Sequence, residues 1–183
     1  REKSGYLGII RTISTSLYPS ALMIMTIRNA LPDDLASILA LNQTALPHVN
    51  ALDIGDMERF LEQAAYFKVI GDLDGFLIGL KPGLDYGSDN YRWFSDAFDD
   101  FYYIDRIIIS ESARGQGLGS LLYKDIIESA RSHTPRLTCE VNTRPANPQS
   151  MTFHQRFGFT PVGTQQTEGG TKEVTLLSLE LIK

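Results

Sequence analysis

Three glycines at alternate positions, in the stretch RGQGLGS (114–120), constrain this chain more than any other feature. They follow the apolar run YYIDRIIIS (102–110) and precede the helical pattern LLYKDIIESARS (121–132). Each glycine loses about 0.5–1 kcal/mol relative to alanine in regular structure. Where a strand turns into a helix, the first helical N–H groups lack partners and carry partial positive charge. Bare backbone at this junction therefore favours a phosphate or pyrophosphate site, next to the positive charge of Arg114.

The stretch does not match the two common nucleotide motifs. A dinucleotide-binding G-x-G-x-x-G motif needs a third glycine where Ser120 stands, and an acidic residue about 20 positions later at a strand end. Glu140 instead lies within a predicted strand, and no Gly-Lys-Ser/Thr follows the glycines, which excludes a P-loop. A tight strand-to-helix turn that binds no ligand remains the structural alternative.

Composition narrows the class of protein. The 183 residues are 43% hydrophobic, which fits one domain with a sizeable core, and the net charge of −5 disfavours nucleic acid and anionic membranes as partners. The single cysteine, Cys139, allows no internal disulfide and fits a reducing compartment. The apolar runs fall short of the ~20 residues that cross a bilayer. We therefore expect a soluble, cytoplasmic protein.

Residues 1–24 read as an extension ahead of a single domain over 25–183. Met25 begins MTIRNALPDDLASIL, a strand followed by a helix, which is a natural opening for a domain. The acid-poor leader with its arginine and serines also has the composition of a transit peptide. We favour an extension from an upstream start or from added residues.

Hydrophobic periodicity predicts a mixed α/β fold with helices on both faces of a sheet. The strand–helix–strand unit over 102–142 must be parallel and right-handed. An Asp74-Gly75 turn is expected in the first hairpin, and Gly169-Gly170 in the last. The predicted strands cover 23–30, 101–110 and 136–142, the hairpins 66–83 and 159–182, and the helices 31–46, 56–65, 121–132 and 147–157.

Two motifs at the appropriate separation resemble the GNAT superfamily of N-acyltransferases, and a bacterial branch of predicted acetyltransferases within it. They are IDRIIISESARGQGLGSLLY (104–123) and CEVNTRPANPQSMTFHQRFGF (139–159), followed by the closing hairpin. The resemblance covers about 25–183. It implies a mixed sheet of about seven strands whose central parallel strands splay apart. It also implies transfer of an acetyl group from acetyl-CoA to a primary amine of a small molecule or peptide.

The resemblance implies a coenzyme A site around the glycine turn. The backbone of 114–120 would hold the pyrophosphate, the strand edge at 107–109 would pair with the pantetheine amides, and Asn147 would hydrogen-bond the pantetheine arm. Phe153 would pack along that arm or belong to the core. The implied donor-site residues are Ile107, Ile108, Ile109, Arg114, Gly115, Gln116, Gly117, Leu118, Gly119, Ser120, Asn147, Ser150 and Phe153.

Attack of an amine on a thioester needs a general base, because an amine of pKa ~10.4 is protonated near neutrality. Asp105 and Glu140 lie within apolar strands, at positions that resemble those of catalytic acids in the family. A structural ion pair of Asp105 with Arg106 or Arg136 is the alternative. Strand alternation places Asp105 on one face with Tyr103, Ile107 and Ile109, and Glu140 on one face with Thr138 and Asn142.

His154 is the candidate proton donor to the departing thiolate. It occupies the position, four residues before Gly158, where many family members carry a tyrosine. An imidazole of pKa ~6.5 is partly protonated near neutrality and can donate a proton. His154 could instead only orient the sulfur or cap a helix end. His48 and His133 have no partners at metal-ligand spacing, so we expect no metal.

The segment LDYGSDNYRWFSDAFDDFYY (84–103) is the candidate acceptor side. It contains five aspartates, one arginine and eight of the chain's eighteen aromatic residues, which together suit a cationic amine. The alternative is a self-packed loop or a dimer contact, and in the second case the protein would be a homodimer. The candidate acceptor-binding residues are Tyr91, Trp93, Asp96, Tyr103 and Asn142. A non-catalytic acyl-CoA-binding or sensing module and a nucleotide-binding protein are the competing functions.

Overall fold

The computed structural model describes residues 26–181, in which seven strands form one mixed sheet. The predicted extension over 1–24, and the ends of the first and last predicted strands, lie outside these residues. The strands are β1 Ile27–Asn29, β2 Tyr66–Ile70, β3 Gly75–Leu80, β4 Tyr102–Ile109, β5 Arg136–Arg144, β6 Thr160–Thr167 and β7 Lys172–Glu180. Their order across the sheet is β1-β2-β3-β4-β5-β7-β6. The α-helices are α1 Leu35–Thr44, α2 Ile54–Gln63, α3 Asp89–Ala97, α4 Leu118–Ala130 and α5 Pro148–Arg156.

Helices cover both faces of the sheet, as the sequence predicted. On one face, α1, α2 and α3 bury apolar side chains such as Ile38, Phe60 and Phe94. On the other face, α4 packs Leu122 and Ile126 against the strands, and α5 adds partly buried side chains. The sheet therefore separates two hydrophobic cores; β4 contributes to both, whereas the apolar side chains of β5 lie in the core beside α4.

The central strands β4 and β5 separate soon after they begin. They run parallel but pair only at Tyr102 with Leu137 and at Tyr103 with Thr138. Beyond this point β5 continues in antiparallel pairing with β7, while β4 continues with β3. We call the space between residues 104–109 and 139–144 the β4–β5 gap. The splayed central strands expected from the sequence are thus confirmed.

A β-bulge in β4 changes which side chains share a face. Ile78 of β3 lies opposite Arg106, whereas Gly79 lies opposite Ile104. Asp105 is therefore an extra residue in β4, and the alternation of side chains is interrupted there. As a result, Tyr103 and Ile108 belong to the core beside α1–α3, while Ile104, Ile107 and Ile109 pack on the α4 side. The predicted face shared by Asp105, Ile107 and Ile109 is wrong for this reason.

The acidic and aromatic segment contains a helix that the sequence analysis did not predict. Ser88 caps α3 by accepting a hydrogen bond from the Tyr91 backbone N–H, and Tyr91 and Phe94 are buried beneath the helix. Trp93 lies over Gly163 of β6, where an added Cβ would come within 2.8 Å of the indole ring. Glycine at 163 therefore allows α3 to pack close to the sheet.

Two predicted boundaries also shift. The first hairpin turns at residues 71–74, with positive φ at Gly71 and Leu73, and Gly75 is already the first residue of β3. The helix after the glycine turn begins at Leu118 rather than Leu121. In both cases the local backbone conformation, rather than the hydrophobic pattern, fixes where the element starts.

Candidate active site

The glycine turn leads from β4 into α4 with two residues in the left-handed region. Gly115 has φ +78° and Gly117 has φ +81°, and Gly117 is the N-cap of α4. No atom lies within 4 Å of a Cβ added at either position. These two glycines are therefore required by backbone conformation, and their outer surfaces are open to an approaching group. Gly119 is different, because it lies in the helix within reach of the side chains of Ile107 and Phe153.

Six successive main-chain N–H groups at this turn have no protein acceptor. Within residues 26–181, none of the N–H groups of 115–120 donates a hydrogen bond to the protein, and the first to do so is Leu121, to the Gly117 carbonyl at 3.1 Å. The positive end of the α4 dipole lies at the same place. Arg114 is exposed, and its Nε donates to the Ile109 carbonyl at 3.4 Å. The turn thus has the geometry and charge of an anion site.

Helix α5 borders the same region. Asn147 caps it, with its side-chain oxygen accepting from the Ser150 N–H at 3.0 Å, and the Asn147 N–H donates to the Asn142 carbonyl at 3.0 Å. Phe153 lies beside Gly119 at the start of α4. The structure therefore brings the predicted donor-site residues of the turn, β4 and α5 together. The side chain of Ile108 is the exception, since it is buried on the opposite face.

His154 is buried between α4 and α5 with both ring nitrogens engaged. Its Nδ1 donates to the Ser150 carbonyl at 2.8 Å, and its Nε2 accepts from the Tyr123 hydroxyl at 2.6 Å. Burial lowers the pKa of His154, although the bond to Ser150 partly opposes this effect. This arrangement is that of a neutral imidazole that joins two helices, and it favours a structural role over the predicted role as proton donor.

Asp105 lies at the β4 bulge and has a partner on each carboxylate oxygen. Oδ2 accepts from Arg106 Nε at 2.6 Å, and Oδ1 accepts from the Tyr86 hydroxyl. The side chains of Asp105 and Arg106 are each 4% exposed. Arg106 also donates to the Asn42 side chain at 2.7 Å and to the Asn50 carbonyl at 3.3 Å. This buried network matches the structural alternative that the sequence left open for Asp105.

Glu140 lies in the middle of β5 on the α3 side of the sheet, and only one of its oxygens has a partner. Oε1 accepts from the Tyr103 hydroxyl at 2.9 Å. Oε2 is shielded from solvent and has no hydrogen-bond partner among the residues that the structure describes. Burial raises the pKa of Glu140 to about 7; the Tyr103 bond lowers it, the Asp105 charge raises it further, and the nearby side chain of Asn90 on α3 lowers it. Glu140 is therefore a carboxyl group that can exchange a proton near neutrality.

The candidate acceptor residues differ in accessibility. Tyr91 is buried, and its hydroxyl donates to the Lys81 carbonyl at 2.7 Å. Tyr103 is buried with its hydroxyl on Glu140, and Asn142 is partly exposed on β5. Trp93 and Asp96 line an open depression together with Asp89, Arg92, Gln165 and Gln166. The structure thus places Trp93 and Asp96 on an accessible surface, and Tyr91 in the core.

Two tyrosines that the sequence analysis did not single out lie at the site. Tyr86, from the loop before α3, donates to Asp105, and burial raises its pKa. Tyr123 of α4 donates to His154, and burial raises its pKa well above the usual value. Tyr86 lies within the aromatic-rich segment and Tyr123 within the predicted helix, but no local pattern identifies the partner of either hydroxyl.

Comparison with known proteins defines the class of protein. The chain belongs to the acetyltransferase (GNAT) family, whose sequence profile matches residues 42–159, more than half of the chain. The resemblance that the sequence motifs indicated is therefore confirmed. No curated protein sequence matches the chain significantly.

Solved structures share this fold at low sequence identity. An N-acetyltransferase from Staphylococcus aureus Mu50 aligns with TM-score 0.64 and 21% identity, over 86% of this chain and 99% of that chain. Arabidopsis thaliana NAA60 in complex with acetyl-CoA aligns with TM-score 0.70 and 14% identity, over 86% and 98%. The ribosomal-protein-S18-alanine N-acetyltransferase from Escherichia coli aligns with TM-score 0.65 and 15% identity, over 86% and 94%. At these identities the likeness concerns the fold alone.

The described residues contain neither a membrane-spanning helix nor a cluster of metal-binding side chains. No helix between residues 26 and 181 is long and apolar enough to cross a membrane. In the same range, no group of three or more histidine, cysteine, aspartate or glutamate side chains is arranged to hold a metal ion.

Proposed function

We propose that this chain is an acetyl-CoA-dependent N-acetyltransferase that acts on a primary amine of a small molecule or peptide. The observation that carries the proposal is the β4–β5 gap. Its strands pair at only two positions, and the turn after β4 presents six N–H groups without protein acceptors. A fold that leaves so many main-chain groups unpaired in one place is suited to a ligand that pairs with them.

The donor site fits coenzyme A. The open N–H groups of 115–120 and the side chain of Arg114 would hold the pyrophosphate, and the β4 edge at 107–109 would bond the pantetheine amides. Phe153 and the capped start of α5 at Asn147 would border the arm. Acetyl-CoA supplies an acyl group activated as a thioester, so the protein needs to orient the acceptor and move protons.

Glu140 is the proposed general base. Its free Oε2 can accept the proton that the attacking amine loses, and its pKa of about 7 matches a base that works near neutrality. Asp105 shares this side of the sheet but has both oxygens committed to Arg106 and Tyr86. We therefore assign Asp105 to holding the bulge, and the proton transfer to Glu140.

We place the acceptor on the α3 side of the gap. Glu140 faces that side, and on the same side of the sheet the exposed Asp96 and partly exposed Trp93 of α3 line an open depression. A cationic amine would be attracted by the carboxylates and by the indole ring. Replacing Trp93 and Asp96 by alanine should raise the acceptor KM with little change in the acetyl-CoA KM. Unchanged acceptor kinetics would remove the assignment of this surface.

A ligand-binding experiment tests the proposed function first, and a turnover assay tests it second. Acetyl-CoA and coenzyme A should raise the Tm in a thermal-shift panel that also contains ATP and NAD, because a ligand at a hundred times its Kd stabilises by about 2.7 kcal/mol. The control is Gly117→Val, which places a branched side chain at φ +81° on the open surface and should abolish the coenzyme A shift. A preference for nucleotides would contradict the proposal.

An amine panel with detection of free thiol then separates catalysis from binding. Release of coenzyme A that depends on a primary amine and on Glu140 supports the transferase. Binding of acetyl-CoA without any amine-dependent release, over amino acids, polyamines and peptide N-termini, would instead identify an acyl-CoA-binding module.

A further inference from the structure

We propose that Tyr103 is a positioning residue for Glu140. Its hydroxyl donates to Glu140 Oε1 at 2.9 Å across the point where β4 and β5 separate. This bond fixes one oxygen of the carboxylate and leaves Oε2 free to exchange a proton. The inference rests on the proposed function only for the use of that proton, and the hydrogen bond itself can be tested without any substrate.

Tyr103 is held rigidly enough to serve as a fixed donor. It is the last β4 residue paired with β5, opposite Thr138, and it is 1% exposed. Its ring packs edge-on against Tyr91 at a centroid distance of 5.6 Å and in a tilted arrangement against Phe94 at 5.8 Å. Since the ring cannot reorient without disturbing α3, the hydroxyl stays directed at Glu140. A buried tyrosine that only filled the core would not need this oxygen.

The hydroxyl also stabilises the ionised carboxylate. Burial raises the pKa of Glu140, the bond from Tyr103 lowers it, the negative charge of Asp105 raises it, and the Asn90 side chain lowers it by a smaller amount than Tyr103 does. Titratable groups lie near Glu140 on both sides of the sheet: Tyr103 and Asp105 of β4 on its own side, and Cys139 of β5 and Tyr123 of α4 on the opposite side. Of these, Tyr103 is the group that donates a hydrogen bond to the carboxylate. Removing that donor should make Glu140 harder to ionise.

The test is an NMR titration of protein labelled with 13C at the glutamate side-chain carboxyl carbons, with the Glu140 signal assigned by its loss in Glu140→Gln. In Tyr103→Phe, which keeps the ring, the midpoint of Glu140 should rise by about one pH unit, as expected for loss of a hydrogen bond to a charged group. Tyr66→Phe is the matched control, because Tyr66 is a buried tyrosine that donates to a different carboxylate, Asp125, at 2.8 Å. The titration midpoint of Glu140 in Tyr66→Phe should equal that in the wild type.

A second measurement covers the case in which Tyr103→Phe does not fold. Incorporation of 3-fluorotyrosine makes the phenol a stronger donor, so the Glu140 midpoint should fall. An unchanged Glu140 midpoint in Tyr103→Phe, or in the fluorinated protein, would overturn the positioning role and leave the acetyltransferase proposal untouched. A shifted midpoint together with full acetyl transfer by Glu140→Gln would instead overturn the base role that Tyr103 is proposed to support.

Discussion

The β4 bulge around Asp105 and the middle of β5 around Glu140 place two acidic residues beside the same gap. At the bulge, Arg106 and Tyr86 occupy both oxygens of Asp105. In β5, Tyr103 occupies one oxygen of Glu140 and no described residue occupies the other. The two carboxylates differ less in burial than in free hydrogen-bonding capacity. Under the proposed function, a free acceptor oxygen, rather than a buried position, is what distinguishes the base from the structural acid.

At the bulge, distant parts of the chain supply the hydrogen-bond partners of Arg106. Arg106 reaches Asn42 of α1 and the Asn50 carbonyl in the following loop, so it ties the bulge to the α1–α2 connection. A buried arginine with one carboxylate and several neutral acceptors has little reason to release that carboxylate. Glu140 has no cationic neighbour among its hydrogen-bond partners, which leaves its proton available.

The largest expected effect is the difference in activity between a variant that neutralises Glu140 and one that neutralises Asp105. Glu140→Gln should lower kcat/KM by about 10²–10⁴-fold, the usual contribution of a general base. Asp105→Asn should lower it by less than about tenfold in the folded protein, because the amide keeps the shape of the bulge. Steady-state kinetics with the best amine of the panel measures both. The reverse ranking would move the base role to Asp105.

Arg106→Met tests the bulge region by stability. Leaving the Asp105 carboxylate buried without its guanidinium should lower the free energy of unfolding by about 3–5 kcal/mol. The double variant with Asp105→Asn should recover part of this loss, since the unpaired charge is gone. Urea denaturation measures both, and Arg59→Met is the control, because its exposed pair with Asp56 should contribute at most about 1 kcal/mol. A loss in Arg106→Met no larger than in the control would contradict the buried network.

The pH dependence of stability tests whether Glu140, in the β5 region, ionises at an unusually high pH. The folded-state pKa of Glu140 is raised to about 7, so its contribution to stability is present below its unfolded pKa and is lost as pH rises through 7. The wild type should therefore lose about 1–3 kcal/mol more than Glu140→Gln between pH 5 and pH 8, as order of magnitude. Parallel stability curves for the two proteins would show that Glu140 ionises normally.

The smallest effect concerns His154, the other candidate for proton transfer. Because both of its ring nitrogens bond within the protein, His154→Phe should leave the alkaline limb of the kcat profile in place. It should lower the free energy of unfolding by about 1–2 kcal/mol, through the lost bonds to Tyr123 and Ser150. An alkaline limb that moves to higher pH would support the role as proton donor that the sequence predicted for His154.

Much of the glycine turn and of the start of α5 could be predicted from the sequence. The glycines at 115 and 117 adopt positive φ, the helix follows directly, and Asn147 caps α5. These features depend on residues that are close together in the chain, and their types restrict the backbone in nearly any context. Helix α3 was not predicted because its aspartates and aromatic residues resemble a polar loop. Only in the folded protein does the sheet, with Gly163, provide a surface against which this helix packs.

The sequence by itself determined the order of the strands and of every α-helix except α3, the glycine turn and the presence of two acids in apolar strands. Only the tertiary structure decided which acid is free. The partners concerned are far apart in the chain: 64 positions separate Arg106 from Asn42, and 37 separate Tyr103 from Glu140. The one-residue bulge at Asp105 also reverses the alternation of side chains beyond it. Backbone conformation follows from neighbouring residues, whereas hydrogen-bond saturation depends on which distant groups the folded chain brings within reach.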